Sequence, residues 1–327
     1  MHAIIPVAGV GSRLRPHTYT LPKVLLNVAG KPILGHILDR LKGDGVTSAT
    51  IVVGYMGDLV EQYVRSHHQD LNVNFVTQEI LLGLGHSIWV ARDSFPPKDE
   101  PLLIILGDTI FDVDLKPVLS SSISSLGVKV VDDPRRFGVA ELSSGYISKL
   151  VEKPDNPTTN LAVVGLYFIK HPEILLESLN SLVSSDTRTK GEYQLTDALQ
   201  MMIQRGEKFS TFTVDAWYDC GKPETLLSTN RHLLARSSRT REIPGVVTIP
   251  PVYIAANAEI TNSIIGPYAT IGEGAHVNDS IIRNSIIGDE SAVSGVLLDN
   301  SIVGNNGAVK GGFKRVNAGD SSEVDFQ

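Results

Sequence analysis

An apolar run, Ala3–Val7, gives way to Ala8, Gly9 and Gly11, and then to Arg13, Arg15 and Lys23 with Pro16 and Pro22 among them. Small residues at 8, 9 and 11 allow backbone N–H groups to approach an oxyanion. Arg13 adds a planar fork of donors, and Lys23, held just after Pro22, adds a point charge. Three readings compete. A dinucleotide fingerprint wants a third glycine where Leu14 stands, and the Walker pattern G-x-x-x-x-G-K-[ST] is absent. The remaining chemistry is a loop that wraps a triphosphate with its own cations, set against a plain glycine turn with solvated basic residues. Asp108 closes the strand-like run PLLIILGD, and Asp219 sits in WYDCG after another extended run. Open parallel sheets bind ligands beyond the carboxyl ends of their strands. A carboxylate there suits Mg²⁺, which prefers oxygen ligands.

These residues need elements to hold them. Ala3–Val7, ATIVVG (49–54), NVNFV (72–76) and PLLIILGD (101–108) read as strands. Helical spacing falls at 33–41, 58–65 and 85–92, so the first part of the chain alternates strand and helix and predicts a mostly parallel sheet. The middle is richer in strands, at 127–131, 138–142, 146–154, 162–169 and 209–219, with helices expected at 172–179, 194–205 and 223–235.

From about residue 245 the pattern changes. TNSIIG (261–266), RNSIIG (283–288) and DNSIVG (299–304) are near copies. Apolar residues recur from Ile260 to Val309 in steps of 5 or 6, and Val277, Val293 and Val309 are 16 apart. Such a period predicts the coils of a parallel β-helix, about three of them, with one apolar residue per side pointing inward and Asn or Gly at the corners. A small antiparallel β domain is the alternative, but it has no reason to keep a fixed period. The last residues, 316–327, read as a tail.

The chain has 327 residues, 29 basic against 36 acidic, and a net charge of −7. That balance argues against a nucleic-acid partner. A single cysteine, Cys220, excludes an internal disulfide and fits a reducing, cytoplasmic setting. No apolar run approaches a membrane span, and no leader pattern is read at the start.

The segment GVGSRLRPHTYTLPK (9–23) resembles the signature of the sugar-1-phosphate nucleotidylyltransferases, through Gly9, Gly11, Ser12, Arg13, Leu14, Pro16, Thr18, Pro22 and Lys23. IIPVAG, GLGHSIWVA (83–91), VEKP (151–154), NLAVVGLYFI (160–169), KGEYQLTDAL (190–199) and DCG (219–221) are similar to the bacterial UDP-glucose pyrophosphorylases. The repeats depart from that subgroup and are more like the ADP-glucose, GDP-mannose and archaeal thymidylyl or uridylyl relatives. The resemblance implies an α/β fold, with a Rossmann-like, mostly parallel nucleotidyltransferase domain over 1–240. A short left-handed parallel β-helix of hexapeptide-like repeats follows over 245–315.

It also implies the reaction of a nucleoside triphosphate, UTP or dTTP, with a hexose 1-phosphate, foremost glucose 1-phosphate. Ala8, Gly9, Gly11, Ser12, Gln78 and Gly83 would hold the nucleotide. An amide such as Gln78 both donates and accepts, which suits the edge of uracil or thymine. Arg13 and Lys23 would grip the phosphates, and Asp108 and Asp219 would hold Mg²⁺. Gly138, Glu152, Lys153 and Gly165 would hold the sugar phosphate, whereas Glu152-Lys153 alone reads as a solvated ion pair. A homo-oligomer assembled by the β-helix is expected; a non-catalytic sensor and an acyl-transferring tail carrying His276 are the rival readings. His67 and His68 are expected in solvent near a helix end. Cys220 is expected as a packed residue, and Trp217 and Tyr218 beneath the metal loop.

Overall fold

The computed structural model describes residues 1–98, 100–238 and 240–312. The chain divides into two compact units. One comprises Met1–Leu26 and Lys31–Leu226; the other comprises Asn27–Gly30 and the chain from Leu227 onward.

The strands up to residue 219 are β1 (His2–Pro6), β2 (Asn27–Val28), β3 (Lys31–Pro32), β4 (Ser48–Val53), β5 (Asn72–Thr77), β6 (Leu102–Ile105) and β7 (Thr109–Asp112). They continue with β8 (Ser124–Val130), β9 (Gly138–Ser143), β10 (Tyr146–Glu152), β11 (Leu161–Ile169), β12 (Phe209–Thr213) and β13 (Ala216–Asp219). The helices are α1 (Ile33–Gly43), α2 (Gly57–His67), α3 (Leu84–Val90), α4 (Leu115–Leu119), α5 (Pro172–Ser184), α6 (Leu195–Gln204) and α7 (Pro223–Arg236).

The first unit is built on a sheet in the order β10-β9-β11-β6-β1-β4-β5, with β8 joining β11 and β12 joining β8. Strands β6, β1, β4 and β5 run parallel, and β11 enters antiparallel to β6. Ala3, Ile4 and Ile5 are fully buried, as a strand covered on both faces requires. The predicted face of α1, Ile33, Leu34, Ile37, Leu38 and Leu41, is buried throughout. This order places the carboxyl ends of β6, β1, β4 and β5 side by side, and with them Asp108, the glycine loop, Gly54 and Gln78.

His68 departs from expectation. His67 is exposed, but His68 is only 4% exposed. Its ring meets Tyr63 edge-on, and its Nδ1 lies 3.7 Å from Asp39. The helix ends one residue earlier, and the chain there turns inward toward Leu71, which is also buried.

In the second unit three parallel sheets follow one another around a common core, consistent with a left-handed β-helix. Each sheet carries four strands, so the expected three coils are four. The first coil, with strands at Val247–Thr248, Val252–Ile254 and Glu259–Thr261, lacks the repeat because Gly245-Val246 and Pro251-Val252 stand in register with the Asn-Ser pairs of later coils. Inward residues stack in register, as in Ile260, Val277, Val293 and Val309. Corners are taken by positive-φ residues such as Asn262, Asp279, Asn284 and Asn300, and two stacked pairs of them are joined by side-chain hydrogen bonds. His276 is paired with Glu259 one coil earlier, at 3.0 Å.

Helix α7 contributes a buried polar clamp to this unit. Asn230 Oδ1 accepts from Ala29 N–H at 2.8 Å and from the Thr270 hydroxyl at 2.7 Å, while its Nδ2 donates to Tyr268 C=O at 3.2 Å. Gly30, at φ +82, lies flat against the Tyr253 ring, where a Cβ would overlap it. The tail expected over 316–327 lies outside the described residues.

Candidate active site

The glycine loop leaves β1 and reaches a short 3₁₀ turn, Ser12–Leu14. Gly11 has φ +68 and caps that turn in the left-handed region that favours glycine. A Cβ on Gly11 would also stand 2.9 Å from Lys23 Cβ and 3.2 Å from the Thr18 methyl. The glycine therefore makes room for the stem of the lysine. Thr18, to which the motif assigns no role, donates its hydroxyl to Gly11 C=O at 2.9 Å and fixes the loop. Gly54, unremarked in the sequence, follows β4 with its missing Cβ against Ala8 at 2.8 Å.

Between Val7 N–H, which bonds Val52, and Leu14 N–H, which bonds Gly11, the intervening N–H groups find no protein acceptor among the described residues. A run of such donors at one turn suits an anion.

Lys23 reaches from this loop to Asp108, and the two form an ion pair. Asp108 sits just beyond β6, and the ribbon of β7 and β13 brings Asp219 beside it. Asp219 is opposite Thr109, and Cys220 N–H donates to Asp108 C=O at 3.0 Å. Cys220 itself is fully buried, as expected of a packed residue. Arg13 closes the group: its guanidinium and the Asp219 carboxylate both lie within 3 Å of the space a Cβ on Gly221 would fill.

Burial alone would push the Asp108 carboxyl up, but the charge and hydrogen bond of Lys23, with Arg13 behind, hold it below the ordinary carboxylate value. Asp219 is pushed up, first by burial and then by the neighbouring Asp108 charge, against Arg13 and Lys23. Two close carboxylates, one disfavoured as an anion, fit a divalent cation. No group of three or more Asp, Glu, His or Cys that could hold a metal occurs among the described residues. A hard cation held by two carboxylates would take its other ligands from water and substrate phosphates.

A cavity of about 250 Å³ opens beside this pair, and Asp108, Asp219, Gly138, Glu152, Lys153 and Gly165 all line it. Lys153 has φ +43 and its N–H donates to Phe137 C=O. Its ammonium lies 3.3 Å from Glu152 Oε1. Gly165, φ +81, sits where β11 breaks register between Val163 and Tyr167, and a Cβ there would strike Leu106. Trp217 also lines this cavity, edge-on to Phe137 at 4.8 Å.

Gln78 follows β5 on the far side of the glycine loop and is 4% exposed. Its Nε2 donates to Gly83 C=O at 3.3 Å and to His86 Nδ1 at 3.0 Å. That commits the amine end and leaves Oε1 as the acceptor. Burial and the Arg188 charge lower the His86 pKa, so the ring is neutral and Nδ1 can accept. His86 carries no signal in the sequence beyond its place in GLGH. At Gly83 and Gly85 the space of a missing Cβ is taken by the backbone of Tyr193 and its neighbours, within 2.8 Å. These glycines serve a close crossing of two chain segments.

The fold and the paired carboxylates beside a basic glycine loop define a phosphate-handling α/β enzyme. Residues 2–236 match the model of the nucleotidyl transferase family, and the chain belongs to that family. It is 30% identical over 321 residues to a low-salt glycan biosynthesis nucleotidyltransferase, Agl11, of Haloferax volcanii, covering 86% of this chain and 87% of that one. It is 31% identical over 320 residues to a glucose-1-phosphate thymidylyltransferase of Streptomyces griseus, covering 88% and 87%. A crystal structure of UDP-glucose pyrophosphorylase complexed with UDP-glucose superposes with a TM-score of 0.63 at 26% identity, over 72% of this chain and 99% of that one.

Proposed function

We propose that the protein transfers a nucleotidyl group from UTP or dTTP to a hexose 1-phosphate, foremost glucose 1-phosphate, giving a nucleoside diphosphate sugar and pyrophosphate. The observation that carries this is the order in which the sheet brings the candidate groups together: Gln78 after β5, the glycine loop after β1, Asp108 after β6 with Lys23 and Asp219 beside it, and the Glu152–Lys153 cavity beside β9 and β10. That order supports a base, a triphosphate and a sugar phosphate in succession.

In this reading the loop N–H groups and Arg13 hold the β- and γ-phosphates and stabilise the charge that develops on leaving pyrophosphate. Lys153 holds the sugar phosphate, and Lys23 lies between the two anions that must meet. An ionised oxygen of the sugar phosphate bonds to the α-phosphorus as the bond to the bridging β-oxygen breaks in line. No side chain has to take a proton, so positioning and charge neutralisation do the work. Asp108 and Asp219 would hold Mg²⁺, which when bound neutralises phosphate charge. Gln78 Oε1 suits the N3–H of uracil or thymine, and cytosine offers an acceptor there.

The same reading takes residues 1–240 as the catalytic domain and 245–315 as a β-helix that assembles a cytoplasmic homo-oligomer. A monomer in gel filtration removes the assembly role. The decisive experiment is pyrophosphate release with Mg²⁺ across all nucleoside triphosphates and a panel of sugar 1-phosphates. UTP or dTTP with glucose 1-phosphate should lead. Silence throughout overturns the proposal, and preference for GTP with mannose 1-phosphate moves it to the GDP-mannose type.

A further inference from the structure

Glu152 ends β10, the last strand of the sheet order, whose outer edge has no strand partner among the described residues. Helix α6 lies along that edge. Its Gln200 side chain accepts from Leu150 N–H at 2.6 Å, and its Thr196 hydroxyl donates to Glu152 Oε2 at 2.7 Å. The two bonds are matched in length: four helical residues rise about 6 Å, and two strand residues advance about 6.6 Å. Higher helix numbers meet lower strand numbers, so α6 runs antiparallel to β10 and fixes it at two points.

Thr196 is 7% exposed and lines the cavity with Glu152. Directly across the β9–β10 pairing from Glu152 is Gly138. A Cβ on Gly138 would stand 3.0 Å from Thr196 Oγ1 and 3.1 Å from Glu152 Oε2. The glycine thus leaves room for this hydrogen bond. With Oε2 held by Thr196, Glu152 presents Oε1 toward the adjoining Lys153 ammonium.

We infer that Thr196 is a positioning residue for sugar recognition. It holds the Glu152 carboxylate in one rotamer, so that one oxygen faces a sugar hydroxyl while Lys153 meets the phosphate of the same substrate. The inference rests on the reaction proposed above. Without the hydroxyl, Oε2 loses its fixed donor, the carboxylate no longer keeps this rotamer, and the sugar hydroxyl loses an acceptor held in place. Thr196 touches Glu152 and acts on substrate through it.

The test compares wild type, Thr196→Val, Thr196→Ser and Gly138→Ala in steady-state kinetics, with thermal unfolding alongside. Thr196→Val keeps shape and removes the donor. It should raise KM for the sugar 1-phosphate about tenfold or more while leaving KM for the nucleotide within about twofold, the loss expected for a hydrogen bond to a charged group. Thr196→Ser should restore wild-type KM, and Gly138→Ala should mimic Thr196→Val. Equal rises in both KM values, no rise, or a failure of serine to rescue would overturn the inference. If Thr196→Val does not fold, the Thr196→Ser and Gly138→Ala comparison decides it by the same KM split. A wild type that turns over no pair of substrates overturns the proposed reaction itself, whereas an active wild type with an indifferent Thr196→Val overturns only the role of Thr196.

Discussion

Lys23 and Asp108 are joined by an ion pair between Nζ and Oδ2 although 85 positions separate them, and their side chains are 16% and 22% exposed. A cation already seated on a candidate metal carboxylate has to share or leave it when other charges arrive. In the proposed reaction Lys23 would therefore stay near the reacting phosphates without a long search.

Asp108→Asn should cut pyrophosphate release to background while circular dichroism stays unchanged. Lys23→Met should lower turnover by about 10²–10³-fold, the usual scale for one preorganised charge at a developing anion. Normal turnover in Asp108→Asn would remove it from the site.

Gln78→Leu should raise KM for the nucleotide about tenfold, near the 1.4 kcal/mol worth of one hydrogen bond, and leave KM for the sugar 1-phosphate alone. His86→Phe keeps a ring beside Trp89 and Tyr193 but removes the acceptor for Gln78 Nε2. It should weaken nucleotide binding in the same direction by less. Kinetics with the nucleotide varied will show whether the two variants fall on the same substrate.

Asn230→Leu strips Ala29 N–H, the Thr270 hydroxyl and Tyr268 C=O of their partner in a fully buried place. Orphaned groups there cost about 1–3 kcal/mol each before relaxation. A loss of roughly 3 kcal/mol in urea unfolding is expected, and Asn230→Asp should be no better, since it gives up the donor to Tyr268.

His2, His17, His68 and His86 all have pKa values lowered from 6.5, chiefly by burial. The folded chain then binds fewer protons than the unfolded chain below that value. Their contribution is complete above the ordinary pKa and is lost as pH falls through the lowered ones. The urea midpoint should drop between about pH 7.5 and pH 5.5. His68 faces Asp39, Lys42, Lys31 and Asp70 as well as Tyr63, and His68→Phe should flatten that drop. An unchanged slope would place the effect on the other three.

The parallel sheet was legible because Ala3–Ile5 and Leu102–Ile105 are apolar at every position and lie between other strands. The β-helix was legible from one inward residue per side at a fixed step. The first coil was not, because Gly245-Val246 and Pro251-Val252 replace the Asn-Ser of the repeat. The signature loop located Arg13 and Lys23, but spacing does not encode that Lys23 bonds Asp108. Thr196 and His86 fall inside stretches with a family likeness, but their roles were not legible, since a hydroxyl on a helix or a ring after a glycine has meaning only against its neighbour in space. His68 was misplaced for the same reason: a polar residue at a helix end reads as solvated unless the following turn is known to fold inward.

The second unit is not contiguous in the chain, since it includes Asn27–Gly30, four residues past Lys23. It follows that the protein cannot be dissected by a single cut. Removing everything after residue 226 would take away Asn230 and Tyr253 and leave Ala29 and Gly30 stripped of what they pack on, six and seven residues from Lys23 of the candidate site. A shortened chain that lost activity would report a frayed anchor as readily as a missing β-helix function. A fair dissection keeps α7 or redesigns residues 27–30 at the same time.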